Sequence, residues 1–377
     1  YLDHAASTPV DERVLEAMLP FMKEKYGNAS SIHALGQEAK RALEDSRESI
    51  AKALGVNMNE IFFTSGGTES NNWTLKGIAF ANKEKGKHII TSKIEHDCVL
   101  NSAKWLEKNG FEVTYLDVDK NGIVQTETLE AAIRKDTILV SIIHGNNEIG
   151  TIQDLNQLGK ICKKNRVFFH TDACQSFAKV SLDIKNVDLV TINAHKIYGP
   201  KGVGALYIRK GVNIEEWQHG GGHEKGERSG TENIPGVVGF AKAAMFGIKE
   251  MDKEAKRQMQ LRDYLIKNVL DIKDSWLNGH PEKRLPNNAN FCFRFIEGES
   301  LVMKLDADGI CASTGSACST HSLEPSHVLM ALGMKPEEAH GSLRLSLGKQ
   351  TTKEEIDFVL EKLPKAVEAL RKISPFR

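Results

Sequence analysis

The chain lacks most of what marks a membrane, secreted or nucleic-acid-binding protein. No uninterrupted apolar run approaches the 18 or more residues of a membrane span. The start, Tyr1-Leu2-Asp3-His4, has neither the basic nor the apolar region of a signal peptide. Net charge is also missing: 50 Lys and Arg balance 50 Asp and Glu. That argues against a surface built to neutralise a phosphate backbone, though it leaves local basic patches open. Cysteine is scarce. Six in 377 residues are too few for a disulfide framework, and none forms C-x-x-C, so a zinc ribbon or thioredoxin-type motif is unsupported. Internal repeats and low-complexity tracts are absent. The expectation is a soluble, cytoplasmic protein of two or three domains.

What is present is alternation. Apolar runs of strand length, Glu60–Thr64, His88–Ser92, Glu112–Leu116, Thr137–Ile143, Val167–His170, Asp188–Ile192 and Val203–Ile208, are separated by helical patterns. Those helices are Leu35–Leu54, Thr68–Lys83, Thr126–Arg134 and Asp154–Lys164. Nearly continuous apolar runs such as Ile138-Leu139-Val140-Ser141-Ile142-Ile143 suit strands buried on both faces of a parallel sheet. The pattern predicts an α/β sandwich. Near residue 234 it changes. A long helix from Pro235 to about Ile272 leads to short strands at Ala289–Phe295, Ile310–Ser313 and Leu343–Leu347. Helices near Glu299–Leu305, Pro325–Ala331 and Thr352–Lys372 complete a smaller α+β region, the last with a Thr352/Glu355 capping box.

Five segments can carry chemistry. In Phe63-Thr64-Ser65-Gly66-Gly67-Thr68 a strand ends in a glycine turn before a helix, where backbone N–H groups and the Thr68 hydroxyl can hold an anion; a plain capped turn is the alternative. The strand ending in Phe169-His170-Thr171-Asp172 delivers a carboxylate to its carboxyl end, as a ligand group or as a helix cap. Asn193-Ala194-His195-Lys196 places a lysine directly after a buried strand. Lysines are usually solvated, but desolvation there lowers an amine's pKa and makes a Schiff-base nucleophile. The stretch from His219 to Thr231 is glycine-rich with Arg228 and Thr231, better suited to an anion than to zinc. Finally, Cys318 sits among small polar residues in Gly315-Ser316-Ala317-Cys318-Ser319, as an exposed thiol on a mobile loop would. The other five cysteines read as buried packing residues.

In this order the segments resemble the cysteine desulfurases, pyridoxal 5'-phosphate (PLP) enzymes of the class V aminotransferase group. The main match is Ala194-His195-Lys196-Ile197-Tyr198-Gly199-Pro200-Lys201-Gly202. It is supported by His219-Gly220-Gly221-Gly222-His223-Glu224, Arg228-Ser229-Gly230-Thr231 and Gly315-Ser316-Ala317-Cys318, and the likeness runs along essentially the whole chain. Ser319 to His327 is similar to the long-loop (IscS and NifS) subgroup rather than the SufS subgroup. The resemblance implies PLP fold type I. That is a three-layer α/β/α sandwich with a mostly parallel sheet over residues 12–245, and a smaller α+β domain over 246–377 with 1–11, carrying the cysteine loop.

It also implies roles. Lys196 holds PLP covalently and Asp172 faces its ring nitrogen. Gln175 and Asn146 approach the ring hydroxyl. Gly67, Thr68, Asn193 and His195 hold the phosphate, joined by Thr231 from the second subunit of a homodimer. His96 stacks on the ring and assists proton transfer, while Asn28 and Arg344 bind the substrate carboxylate. Gly67 departs from the family's frequent Ala. Lys196 takes the Cα proton of L-cysteine, and the ring stabilises the carbanion. The Cys318 thiolate then attacks the substrate sulfur, alanine leaves, and the persulfide goes to an acceptor protein such as an IscU-like iron–sulfur scaffold. The same thiolate can serve as a transient iron–sulfur ligand in a complex. No direct nucleic-acid or membrane partner is expected. Two other readings stand beside this one. A selenocysteine lyase or small-amino-acid aminotransferase would share Lys196, although a transaminase needs no loop thiol. A non-catalytic thiol carrier would not need the full set of cofactor residues.

Overall fold

A computed structural model describes residues 1–315 and 325–374. Its strands are β1 (Ile61–Thr64), β2 (His88–Ser92), β3 (Glu112–Leu116), β4 (Thr137–Ser141), β5 (Phe168–Asp172), β6 (Leu189–Asn193), β7 (Gly204–Ile208), β8 (Ser275–Asn278), β9 (Asn288–Phe293) and β10 (Ser342–Ser346). The helices up to the long connection are α1 (Glu12–Lys23), α2 (Ala34–Leu54), α3 (Gly67–Ala81), α4 (Asp97–Lys108), α5 (Thr126–Ala132) and α6 (Leu155–Lys164). Then follow α7 (Ile234–Val269), α8 (Gly298–Ala307), α9 (His327–Ala331), α10 (Pro336–Ala339) and α11 (Lys353–Ile373).

Seven strands form one sheet in the order β1-β7-β6-β5-β4-β2-β3. The run β6-β5-β4-β2-β3 is parallel, and β7 is antiparallel to both of its neighbours. Neighbouring residues on the strands face opposite layers, as the two-residue period requires. Ile90, Val140 and Val190 join a core with Val14 of α1, Leu43 of α2, Leu129 of α5, Leu158 of α6 and Val237 of α7. Ile89, Leu139 and Leu189 join another with Trp73 of α3 and Val99 of α4. Helices therefore cover both faces, giving the three α/β/α layers that the continuous apolar runs led us to expect.

The second sheet is antiparallel, ordered β10-β9-β8, and packs against α8, α11 and the end of α7. Helix α7, 36 residues and so about 54 Å long, has Val237 and Phe240 in the first core and Leu265 and Val269 in the second. The N-terminal residues lie along β10: Leu2 is in the second core and Asp3 bridges Ser346. The Thr352/Glu355 capping box forms, with Glu355 N–H donating to Thr352 Oγ1 at 3.3 Å.

Some elements differ from expectation. Helices α1 and α4 and strand β8 were not anticipated. For α4 the cap is His96, whose imidazole accepts from Cys98 N–H; histidine is not a usual start signal. Ile310–Ser313 is not a strand. It is an extended segment joined to β10 by a single bridge from Ser313 to Arg344.

Candidate active site

The carboxyl ends of β1, β2, β4, β5 and β6 open on one cavity of about 380 Å³. Open α/β sheets place ligands at this edge because the chain leaves each strand there. The start of α3, after β1, contributes Gly67 and Thr68, and the turn after β2 contributes His96. Strand β5 ends in Asp172 and is followed by Gln175. Strand β6 ends in Asn193 and is followed by His195 and Lys196. Arg344 enters from β10.

Asp172 accepts at both carboxylate oxygens. Cys174 N–H donates to Oδ1 at 2.9 Å, and the Asn71 amide donates to Oδ2 at 2.6 Å. Asn71 is fully buried, and its Oδ1 has no hydrogen-bond partner among the described residues. The sequence reading missed Asn71, although it lies four residues after Gly67 and so on the same face of α3. Lys196 Nζ donates to the carbonyls of Ala5, and of Ala6 at 2.6 Å, so the N-terminal turn reaches the cavity. Burial, aided by the Lys196 charge, pushes His195 down to about 4. Its ring is therefore neutral at physiological pH and donates one N–H. At His96, Cys98 N–H donates to Nδ1 at 3.1 Å. A backbone amide can only donate, so the neutral ring carries its proton on Nε2.

Gly67 has a reason on this chain. A Cβ there would stand 2.6 Å from Cys174 Sγ, too close for any carbon–sulfur contact. The thiol fills the space that an alanine methyl would need. Burial, then the Asp172 charge, raises the Cys174 thiol well above its ordinary range, so it is neutral.

Arg344 is almost wholly buried. Its guanidinium donates to Asp3 Oδ1 at 2.8 Å, Asn147 O at 2.9 Å and Gly315 O at 3.2 Å, while Nε has no partner among the described residues. Asp3 was not anticipated. The pair joins residues 341 apart, which no local pattern reveals.

Three expectations change. Asn146 does not line the cavity: its amide donates to Ile94 O at 2.8 Å, and its Oδ1 accepts from Glu148 and Ile149 N–H. Its neighbour Asn147 lines the cavity instead, with a buried Oδ1 lacking a partner among the described residues. Asn28 lies outside the cavity on the exposed turn after α1, its Oδ1 accepting from Ser30 N–H at 2.8 Å. The cysteines are not all packing residues. Cys162 and Cys292 are, but Cys98 and Cys174 line the cavity and Cys311 is exposed. Thr231 is exposed and lies away from its own chain's cavity. Cys318 lies outside the described residues.

Fold and site define a class: an enzyme with a mostly parallel sheet, in which a lysine, an aspartate and a glycine-started helix converge at the strand ends. The family model "Aminotransferase class-V" matches residues 1–359. The chain is 55% identical over its full length to "Cysteine desulfurase IscS" of Methanosarcina thermophila, covering 93% of that protein. Among solved structures it is similar to a "NifS-like protein" (TM-score 0.93, 43% identity, 98% of this chain and 99% of that one). Another is "SspA in complex with cysteine" (TM-score 0.83, 37% identity, 92% and 98%). The chain belongs to the class-V aminotransferase family, within its cysteine desulfurase branch.

Proposed function

We propose that the chain removes the sulfur of L-cysteine, releases L-alanine and passes the sulfur through the Cys318 thiol to an acceptor protein. The observation that carries this is the convergence of Lys196, Asp172 and the Gly67-Thr68 turn on one cavity.

The donor set fits PLP. The Gly67 and Thr68 N–H groups at the start of α3, the Thr68 hydroxyl and His195 suit its phosphate. Asn193 is a further polar group at that end, and its buried Oδ1 lacks a partner among the described residues. Asp172 suits the ring nitrogen, Gln175 and Asn147 the ring hydroxyl, and Lys196 the aldehyde. Bound PLP supplies an electron sink for charge developed at the substrate Cα. Lys196 takes the Cα proton and returns it. The Arg344 fork receives the substrate carboxylate in place of Asp3. His96, with its proton on Nε2, covers the cavity and can donate. The Cys318 thiolate bonds to the substrate sulfur as the C–S bond breaks, and the carbon keeps the electron pair and gains a proton. Residues 246–377 with 1–11 carry Arg344 and Cys318, residues 12–245 hold the cofactor, and we read them as two domains.

A homodimer is part of the proposal. Thr231 is exposed and available to a second copy's phosphate site. Helix α1 exposes Leu15, Leu19 and Met22, followed by exposed Tyr26 and Ile32, an apolar face suited to that copy. Among the described residues no helix is long and apolar enough to cross a membrane, and we place the enzyme in the cytoplasm. The acceptor we propose is an IscU-like iron–sulfur scaffold.

The test is mass spectrometry after addition of L-cysteine. One added sulfur on Cys318 and equimolar alanine are expected, and Cys318→Ser should abolish transfer to an acceptor protein. Unchanged transfer by that variant would remove Cys318 from the mechanism. Keto-acid formation without sulfide would make the enzyme an aminotransferase.

A further inference from the structure

We infer that Lys179 is a positioning residue for Lys196: its ammonium, behind the cavity floor, disfavours a proton on the Lys196 nitrogen and so drives that proton back to carbon. This rests on the reading of Lys196 as the amine that carries the Cα proton.

The geometry comes first. Lys179 lies seven residues after Asp172, on the turn that follows β5. Its Nζ stands 3.5 Å from Gln175 Oε1, and Gln175 Nε2 donates to Ala5 O at 2.8 Å. The same Ala5 carbonyl accepts from Lys196 Nζ. One amide side chain and one carbonyl therefore separate the two ammonium groups. A second, smaller cavity of about 40 Å³ is lined by both lysines and by His4.

The groups around Lys179 do not offset its charge, while Lys196 shares the main cavity with the carboxylates of Asp172 and Glu148. His4 and His195 face the lysines, and burial with lysine neighbours holds both near 4, so both are neutral. Cys174 is a neutral thiol. The acids of the small cavity are engaged elsewhere: Glu250 with Lys349 at 2.7 Å, and Glu254 with Arg257 at 2.7 Å. Arg344 is a third cation acting on Lys179, and its own partner is Asp3. Burial raises the Tyr198 hydroxyl well above its ordinary range, so it contributes no anion. Among the described residues no carboxylate forms an ion pair with Lys179. Burial first, and Lys196 next, push the Lys179 ammonium down to about 7.

Two amines so placed titrate as a pair, each opposing the other's proton. A lysine beside another cation is one of the recognised ways of making an amine basic but unprotonated. When Lys196 is neutral, Lys179 can carry the charge. When Lys196 takes the Cα proton, the repulsion rises, and proton return is favoured over leaving Lys196 charged.

The test uses the holoenzymes of wild type, Lys179→Met and Lys179→Arg. Absorbance of the lysine-linked cofactor against pH reports the Lys196 nitrogen, and steady-state kinetics report the acid limb of kcat. Lys179→Met should raise that pKa by about one unit, moving the acid limb upward and lowering kcat at pH 7 about tenfold. KM for L-cysteine should stay within about twofold, since Lys179 does not reach the substrate cavity. Lys179→Arg, which keeps the charge, should stay near wild type. An unmoved titration in Lys179→Met overturns the proposal, as does an equal effect of both variants, which marks a merely structural role. Should Lys179→Met not fold, NMR titration of 13C-lysine-labelled wild type decides, with Lys179→Arg giving the assignment. A Lys179 midpoint well below the ordinary ~10.4 supports the pair, and an ordinary one overturns it. Absence of any cofactor band in wild type would instead refute the functional reading, and the NMR midpoint would still judge the lysine pair.

Discussion

The floor and the roof of the cavity are built differently. The floor is the edge of the seven-stranded sheet, where Asp172, Asn193 and Lys196 lie on or within three residues of a strand end. Their backbones are fixed by the ladder and by two apolar cores. The roof is a polar network drawn from distant sequence: Arg344 with Asp3, Arg344 with the Asn147 carbonyl, and Ser326 with Glu148 at 2.5 Å. Such contacts exchange partners at less cost than a sheet ladder does. The difference matches the proposed division of labour. A cofactor that stays bound needs fixed partners, whereas a substrate that comes and goes needs partners it can displace.

The largest expected effect probes the roof. Arg344→Met removes a charged fork whose hydrogen bonds are worth about 1.5–3 kcal/mol each. KM for L-cysteine should rise about 100-fold, measured by alanine release, a loss of about 2.7 kcal/mol. Asp3→Asn removes the internal carboxylate on the fork. If Asp3 is displaced by substrate, this variant should lower KM about three- to tenfold. A raised KM would show that Asp3 orients Arg344, and that the roof is as rigidly set as the floor.

The same contrast explains what the sequence disclosed. Floor residues were readable because a buried strand has a strong local signature, and the residue that follows it must emerge at one edge. Lys196 after Leu189–Asn193 and Asp172 at the end of Phe168–Asp172 are instances. Asn146 was misplaced by one residue because an irregular turn has no period; the folding of the 146–151 backbone onto the Asn146 amide decides which asparagine faces inward. Asp3 and Lys179 were unreadable for another reason. Asp3 meets Arg344 from the other end of the chain, and Lys179 is linked to Lys196 through Gln175 and the distant Ala5 carbonyl, contacts that only the tertiary structure makes.

The second effect tests whether the floor is packed as tightly as its geometry says. Gly67→Ala drives a methyl into Cys174 Sγ and should cost about 1–3 kcal/mol, read as a lower holoenzyme Tm and weaker cofactor retention. Cys174→Ala vacates that space, so the double variant should recover most of the loss, with a coupling of about 1–2 kcal/mol. Additive losses would mean that the turn can shift, and that the floor yields as readily as the roof.

The smallest effect lies one layer beneath. His170 is fully buried in β5, between Ser141 Oγ at 2.8 Å and Thr191 Oγ1 at 3.0 Å. Burial lowers it to about 4, with Asp172 opposing. A lowered folded value means that the unfolded chain takes the proton first. The stability from neutral His170 is thus complete above about 6.5 and is lost as pH falls toward about 4. Between pH 7 and pH 5 this should remove about 1–2 kcal/mol, seen as a falling urea midpoint. In His170→Gln, which cannot titrate, the fall should be shallower by that amount. Parallel curves would mean that water or a local opening lets His170 protonate in the folded chain, and the rigidity assigned to the strand ends would then stop short of the layer supporting them.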